Sequence, residues 1–246
     1  MLYERSRRKV HGTTGTGIWE TQRTAREFPE EIPRVVDLKS RGRLRRKLEF
    51  IRQLKIKETA PLAETNEATK RLWTNLHQSV GDFVDDLMDV SPYIKIVDEG
   101  HLAMIMKEGV VVFEGSQGAL LDENWGFYPH VTGSTTTFAS AIKLLQLIGY
   151  DDAIERIGVI RTYMTRHGAG PFPTETLGYG PKEEHNQDVI NTGVFRTGFL
   201  DVVLLRYALD IVGGVDGLAV THTDVSQQQY MATQYRVLEE EDSRYF

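Results

Sequence analysis

Glycine-rich and polar loops that suit the phosphate and base of a nucleotide stand at four places in this chain. The segment HGTTGTG at 11–17 combines hydroxyl donors with glycines that allow close backbone approach to a phosphate. EGSQG at 114–118 follows an apolar run, and HGAGPFPTE at 167–175 is a rigid turn of glycine and proline. THTD at 221–224 ends in an aspartate, which can accept paired hydrogen bonds from a purine edge.

A run of hydroxyl side chains follows the second loop, after Gln117 and Asp122. Its members are Thr132, Ser134, Thr135, Thr136 and Thr137. Each polar pattern, taken singly, also fits a structural role, because an aspartate after a strand often caps the next helix. Their repeated occurrence at the ends of predicted strands favours a ligand site.

The elements that would position these loops follow from hydrophobic periodicity. Helical spacing predicts helices at 41–57, 62–89, 98–107, 134–148 and 199–212. Short apolar or alternating runs predict strands at 110–113, 157–164, 218–221 and 230–238. Strands joined by crossover helices predict an α/β fold with a mostly parallel central sheet and helices on both faces. We expect a single domain over 1–246, with ligands at the carboxyl ends of the strands.

Composition restricts the class of protein. The chain is 40% apolar and 26% charged. It contains no apolar run of about 18 residues, the length needed to span a membrane. The first ten residues lack the apolar core of a signal peptide, so we expect a cytoplasmic protein without a membrane partner. The absence of cysteine excludes disulfides and cysteine-bound metals.

Positive charge is concentrated near the beginning of the chain. Residues 1–60 hold 16 Lys and Arg against 8 Asp and Glu, with the densest run at 41–57. Such a run could contact nucleic acid, but aromatic residues are not interleaved with the charges. We therefore interpret it as the solvated face of a helix and expect no nucleic-acid partner.

Three stretches resemble one family in the same order. They are VVFEGSQGALLDENWGFYPHVTGSTTT (111–137), TRHGAGPFPTE (165–175) and RTGFLDVVLLRYAL…GLAVTHTD (196–224). All three resemble adenylosuccinate synthetase, the ligase that joins aspartate to the 6-position of IMP with GTP. The resemblance implies a P-loop-NTPase-like fold, a homodimer, Mg²⁺ and GTP as co-substrate, with ATP left open. It also implies IMP or a related purine monophosphate and aspartate or a related amino acid as substrates.

The resemblance assigns four positions to the substrate nucleotide. Thr14 matches the second threonine of the family's IGTTGRGI segment, which contacts the IMP phosphate. Gln117 matches the nucleotide-contacting glutamine of GAQG, and Thr132 stands fifteen residues further on, where the family places another phosphate-binding threonine. His167 replaces an IMP-contacting valine.

A second set of positions falls on the family's other binding segments. INTGVFRTGFLD at 190–201 matches an arginine-rich loop that binds aspartate and the nucleotides. There the resemblance assigns Asn191, Thr192 and Arg196, while two apolar residues stand where charge is expected. The segment THTD matches TKLD, which reads the guanine of GTP, and it assigns His222 and Asp224. The family also supplies an arginine across its dimer interface, and the nearest matches are Arg23 and Arg26.

The family's catalytic groups have no counterpart in this sequence. Its GDEGKGK loop, with the catalytic aspartate and phosphate-binding lysine, and the general-acid histidine lie outside this chain, so no Mg²⁺ ligand can be assigned. The expectation is a fragment with weak or no activity alone, because the transition-state charge has lost its partners. Two alternatives remain: a specialised synthetase with another purine nucleotide, amino acid or phosphate donor, and a non-catalytic nucleotide-binding module.

Overall fold

The computed structural model describes most of the chain, and the described stretches are residues 17–62, 67–76, 79–181, 193–224 and 230–236. Within them, contacts between residues form two compact units. The first unit holds the described residues up to Val112 together with Leu144–Tyr150. The second holds Phe113–Lys143 and the described residues from Asp151 onward, and three of the four polar loops belong to it.

Helices dominate the described part of the first unit. They are α1 (Ile18–Glu27), α2 (Arg41–Thr59), α3 (Glu67–Leu76), α4 (Gly81–Val90) and α5 (Glu99–Glu108). Helix α2 is capped by Ser40, whose hydroxyl accepts a hydrogen bond from the Arg43 amide, and it packs against α3 and α4. Leu44 on α2 and Val84 on α4 are buried. The basic run at 41–57 is therefore helical, as predicted, with Leu44 on its buried side.

Two of the predicted helices differ from the structure. The helix predicted at 62–89 is interrupted, because α3 ends at Leu76 and α4 begins at Gly81. The Ser79 hydroxyl accepts from the Gly81 amide at 3.0 Å, a local bond that competes with helix continuation. The helix predicted at 134–148 is α6 (Ala139–Leu147) and begins later. Its first predicted residues instead form a loop, in which the Thr136 amide donates to Asp122.

Five strands lie in the described part of the second unit. They are β1 (Ile157–Arg161), β2 (Tyr163–His167), β3 (Phe195–Asp201), β4 (Gly217–Thr221) and β5 (Met231–Ala232). Strands β1 and β4 pair in parallel, as do β3 and β5, whereas β2 and β3 pair antiparallel. Helix α7 (Val202–Ile211) follows β3 directly. The predicted α/β class with parallel strand pairing is confirmed, although the antiparallel ribbon was not predicted.

Several predicted strand boundaries need correction. The strand predicted at 157–164 changes partner at Thr162, whose hydroxyl donates to the His222 carbonyl while β2 turns toward β3. The strand predicted at 110–113 is wrong. Val110 is 96% exposed, and no strand among the described residues pairs with this segment. The edge strand predicted at 230–238 is reduced to β5, and residues from 237 onward lie outside the described part.

The junction of β3 and α7 also corrects the helix predicted at 199–212. Residues 195–201 pair with β2, and the helix starts only after Asp201. The buried Asp201 carboxylate accepts from the Leu204 amide at 2.9 Å and thereby caps the helix. Gly213 and Gly214, both with positive φ, follow its end as the sequence predicted.

Candidate functional site

The β2–β3 ribbon carries the turn that was predicted as a ligand loop. Arg196 on β3 donates through Nη1 to the carbonyls of Gly168 and Gly170, at 2.9 and 3.0 Å. Its Nε donates to Glu175 Oε1 at 2.8 Å, and its Nη2 donates to Glu175 Oε2. The guanidinium also stacks on the Phe172 ring, 5.3 Å from its centroid. One arginine thus fixes both ends of the turn.

The same ion pair sets the charge states of both partners. Hydrogen bonds from Arg196 hold the pKa of Glu175 below its ordinary value, and burial opposes this only partly. The Glu175 carboxylate in turn raises the pKa of Arg196. Both groups are therefore charged across the physiological range of pH.

Arg166 on β2 is the register partner of Arg196 and joins two loops. Its Nε donates to the Ala169 carbonyl at 3.1 Å, and its Nη2 donates to the His130 carbonyl at 3.2 Å. Burial lowers the pKa of Arg166, and the neighbouring positive charge of Arg196 lowers it further. Through these bonds the turn at 168–170 is tied to the loop that carries Thr132.

Two glycines are required by this packing. A Cβ on Gly170 would lie 2.2 Å from Nη2 of Arg166, and the φ of Gly170 is +120°. A Cβ on Gly198 would lie 2.3 Å from the Thr174 carbonyl oxygen, where the returning chain crosses β3. Gly198 therefore excludes a side chain because backbone would have to move, whereas at Gly170 the positive φ disfavours other residues and a Cβ would displace the Arg166 guanidinium.

The loop of Gln117 and Thr132 is organised by Asp122, which is fully buried. The Asp122 carboxylate accepts from the amides of Asn124 and Thr136, at 2.9 and 2.7 Å. The Thr136 hydroxyl donates to the Gly118 carbonyl at 2.9 Å, next to Gln117. A buried carboxylate that accepts two backbone N–H groups fixes a loop strongly.

The two predicted nucleotide contacts on this loop are held differently. Gln117 is exposed and has a φ of +62°, which turns the backbone sharply at the base of the loop. The Thr132 amide donates to the Leu121 carbonyl at 2.8 Å, and its hydroxyl lies 3.5 Å from that of Ser134. The long hydroxyl contact is weak, so the Thr132 side chain remains suitable for a ligand.

The predicted base-reading segment continues from β4. His222 has a φ of +59°, and its Nδ1 lies 3.0 Å from the Thr221 hydroxyl. The ring meets the Tyr163 ring edge-on, with 5.5 Å between centroids. Asp224 follows in an exposed turn. The Thr162 hydroxyl donates to the His222 carbonyl at 2.9 Å, which connects this segment to the start of β2.

His167 ends β2 on the face opposite Arg166, because neighbouring residues of a strand point to opposite faces. Its ring packs against the Phe195 ring, with centroids 4.9 Å apart. Thr14, Asn191 and Thr192 lie outside the described residues. Among the remaining nucleotide-site candidates of the second unit, Thr132, His167 and Arg196 are linked through the Arg166 bonds and the β2–β3 ribbon.

Arg23 and Arg26 lie on α1, in the first unit. Arg23 forms ion pairs with Glu20, Glu27 and Glu58, at 2.9, 3.6 and 3.0 Å. Hydrogen bonds to the Glu20 and Glu58 carboxylates raise the pKa of Arg23. This guanidinium is held by acidic neighbours of its own chain.

Two functional features were not predicted from the sequence. Arg166 and Glu175 were not identified as partners of the turn, although both belong to the stretch TRHGAGPFPTE. An arginine and a glutamate flanking a glycine-rich turn were the available signal. Within the described ranges, no group of three or more His, Asp or Glu is placed to hold a metal ion. None of the helices described is both long and apolar enough to cross a membrane.

This chain is similar in sequence to adenylosuccinate synthetases. A sequence model of the adenylosuccinate synthetase family matches residues 1–245. The adenylosuccinate synthetase of Frankia casuarinae is 35% identical over 226 residues, which cover 87% of this chain and 49% of that protein. That of Prochlorococcus marinus is 32% identical over 238 residues, covering 92% of this chain and 50% of its own length. The chain therefore spans about half the length of these curated relatives.

A solved structure is similar in fold. It is a fully ligated adenylosuccinate synthetase from Plasmodium falciparum, with a TM-score of 0.60 and 22% identity. The match covers 87% of this chain and 48% of the other. At this identity the match shows the fold alone. Together with the family model, it confirms the resemblance that the three sequence stretches indicated.

Proposed function

The chain belongs to the adenylosuccinate synthetase family, and we propose that it forms the nucleotide-binding part of a purine-biosynthetic ligase. The reaction proposed for this ligase joins the amine of aspartate to C6 of IMP, and GTP supplies the phosphoryl group. The 6-oxygen of IMP is first phosphorylated, the amine then attacks C6, and phosphate leaves with that oxygen. The enzyme would act in the cytoplasm as a homodimer, with the whole chain in one domain.

The organisation of the loop at 117–136 is the observation that carries this proposal. The buried Asp122 holds the amides of Asn124 and Thr136, so the loop has a fixed shape before any ligand binds. Gln117 would then contact the nucleotide, and Thr132 its phosphate, from a preorganised loop. Preorganisation lowers the ordering entropy that binding must otherwise overcome.

The donor base is proposed to contact the segment after β4. Asp224 can accept paired hydrogen bonds from the N–H groups of guanine, which is the reason to prefer GTP. His222 is held by the Thr162 hydroxyl through its carbonyl, and its ring packs against Tyr163. These bonds fix the backbone from which the base would be read.

Among the described residues, no group of three or more His, Asp or Glu is placed to hold a metal ion, and no residue of the chain is proposed as a Mg²⁺ ligand. The sequence also lacks the GDEGKGK motif, so no residue of this chain is proposed as the catalytic base. The role proposed for these residues is to bind and orient the nucleotide.

Isothermal titration of this chain with IMP tests the proposal, with Gln117→Gly as the diagnostic variant. Glycine removes the amide without strain, because the φ of Gln117 is +62° and alanine would be disfavoured there. We expect micromolar binding in the wild type and a loss of about tenfold or more in the variant. Gln146→Ala is the matched control, because Gln146 is an exposed glutamine on α6.

Equal IMP binding in the wild type and in Gln117→Gly would contradict the assignment of Gln117. An absence of IMP binding in the wild type would contradict the proposed function of this chain. Circular dichroism of both variants would show that they retain the fold.

A second candidate is a specialised synthetase that uses a different amino acid or nucleotide. The observation that favours it is the saturation of Arg196 by Glu175 and two carbonyls, with apolar Val194 and Phe195 beside it. Bidentate recognition of an aspartate carboxylate is not replaced by such residues. Titration with AMP and GMP, and with glutamate and asparagine beside aspartate, would separate the two candidates.

A further inference from the structure

Arg166 and Arg196 lie opposite each other on β2 and β3, but their guanidinium groups differ in how many of their donors are hydrogen-bonded. A guanidinium has five N–H donors. Arg196 directs its donors to four acceptors, namely the two oxygens of Glu175 and the carbonyls of Gly168 and Gly170. Arg166 donates to two carbonyls, and its Nη1 has no partner among the residues that the structure describes.

The charge of Arg166 is also uncompensated in the described part of the chain. No ion pair between its guanidinium and a carboxylate occurs there, and the carboxylate of Glu175 pairs with Arg196 instead. The group is half-buried, and a half-buried cation without a counter-ion is unfavourable. The neighbouring Arg196 adds like-charge repulsion. An anion bound at this position would relieve both effects.

We propose that Arg166 binds an oxyanion of a substrate, either the phosphate of the nucleotide or a carboxylate of the amino acid. The sequence resemblance assigns such a role to Arg196, whose donors are already engaged. This inference rests on the proposed function, because it names the residue that holds one anionic group in that site.

The surroundings of Arg166 favour the phosphate as the bound group. Its Nη2 donates to the carbonyl of His130, and Thr132 lies two residues further along the same loop. The bond between Arg166 and the His130 carbonyl therefore joins β2 to the loop that carries the Thr132 hydroxyl. Hydroxyl and guanidinium donors together are well suited to phosphate oxygens.

Side-chain NMR of the full chain tests the proposal, with the Nε–H signal of Arg166 as the probe. The signal is assigned through the spin system of the residue and by its disappearance in Arg166→Lys. Separate titrations use IMP, inosine, inorganic phosphate and L-aspartate. We expect saturable shifts with IMP and phosphate and none with inosine. A shift with aspartate alone would identify the carboxylate as the bound oxyanion.

Affinity measurements complement the NMR signal. Arg166→Gln should weaken binding of the responsive ligand by about ten- to a hundredfold, the effect of losing charge-assisted hydrogen bonds. Arg166→Lys should retain part of the affinity, since it keeps the charge but loses the fork of donors. Arg206→Gln is the control, because Arg206 is exposed on α7 and changes the net charge equally.

The outcomes separate this inference from the proposed function. If the chemical shift of the Arg166 Nε–H does not change with IMP, phosphate or aspartate, the proposed anion binding by Arg166 is overturned. Arg166 would then be a structural bridge between two loops. IMP binding with an unmoved Arg166 signal overturns the inference alone. A response to phosphate or aspartate without IMP binding supports the role of Arg166 and contradicts the proposed function.

Discussion

Arg196 and Glu175 form a two-point ion pair, in which Nε donates to Oε1 and Nη2 donates to Oε2 at 2.8 and 2.5 Å. The pair joins β3 to the end of the turn that follows β2. In sequence, Arg196 matches a family loop that binds substrates, but in the fold its donors hold the chain itself. Because the donors of Arg196 are engaged within the chain, we assign the binding of an anion to Arg166 instead.

Replacing Glu175 with glutamine should lower the free energy of unfolding by about 1 kcal/mol near neutral pH. The estimate is small because the Glu175 side chain is 43% exposed and water screens the pair. Urea unfolding of the variant and of Glu30→Gln, an exposed glutamate elsewhere in the chain, measures the difference. Equal losses in the two variants would contradict a specific role for the pair.

The same pair predicts an acid-side loss of stability. The pKa of Glu175 is lowered by Arg196 from an ordinary value of 4.5. A lowered pKa gives stability that is fully present above the unfolded pKa and is lost as pH falls through the folded one. Unfolding free energies measured over the acid range should therefore fall less steeply in Glu175→Gln. An unchanged slope would show that the pair does not contribute.

A substitution of Gly198 by alanine should destabilise the second unit by about 3 kcal/mol, since it forces atoms together in a packed region. The added Cβ would lie 2.3 Å from the Thr174 carbonyl oxygen. Gly217→Ala is a matched control at a strand position, because a Cβ there meets nothing within 4 Å. Thermal unfolding of both variants measures the contrast. Similar midpoints for the two would contradict the crossing of the 172–176 chain over β3.

Tyr235→Phe should destabilise the chain by about 1–3 kcal/mol, because the buried Asp201 carboxylate loses a donor. The Tyr235 hydroxyl donates to Asp201 Oδ2, and Asp201 is fully buried. Burial and the Asp201 charge raise the pKa of Tyr235, so its phenol should ionise at higher pH than ordinary tyrosines. Unfolding and ultraviolet titration measure the two effects. Tyr93→Phe, at an 88% exposed position, is the control.

Asp122→Asn should lower the free energy of opening of the loop that carries Gln117 and Thr132 by about 1–3 kcal/mol. The reason is that an amide has only one oxygen to accept the two backbone donors. Hydrogen exchange of the Thr136 amide should accelerate, because that amide donates to Asp122. Asp152→Asn, at an exposed position, should leave this exchange unchanged. Retained protection of Thr136 in Asp122→Asn would contradict the organising role of the carboxylate.

The helices with strong local periodicity were predictable from the sequence. The helix at 41–57 and the strand at 218–221 depend on nearby apolar spacing, and both are present as α2 and β4. Strand β3 was missed because its residues run into the apolar start of α7, so the combined run resembles one helix. The end of β3 is set by the Asp201 cap and by pairing with β2, which local spacing does not encode.

The site was predictable only in part, for a related reason. The sequence indicated which loops carry polar chemistry, and the resemblance supplied residues such as Gln117 and Thr132. The partners of Arg166 and Arg196 depend on how side chains of adjacent strands reach across a turn. Arg166, for example, donates to His130, which lies 36 residues earlier in the chain. Such non-local hydrogen bonds leave no periodic signal in the sequence.

The nucleotide site is tested most directly by titration of the wild-type chain with IMP, AMP and inosine under identical conditions. We expect IMP to bind in the micromolar range and inosine to bind at least about tenfold more weakly, because inosine lacks the phosphate. AMP should bind more weakly than IMP because its base differs. Equal affinity for IMP and inosine, or no binding of IMP, would contradict a phosphate-binding nucleotide site in this chain.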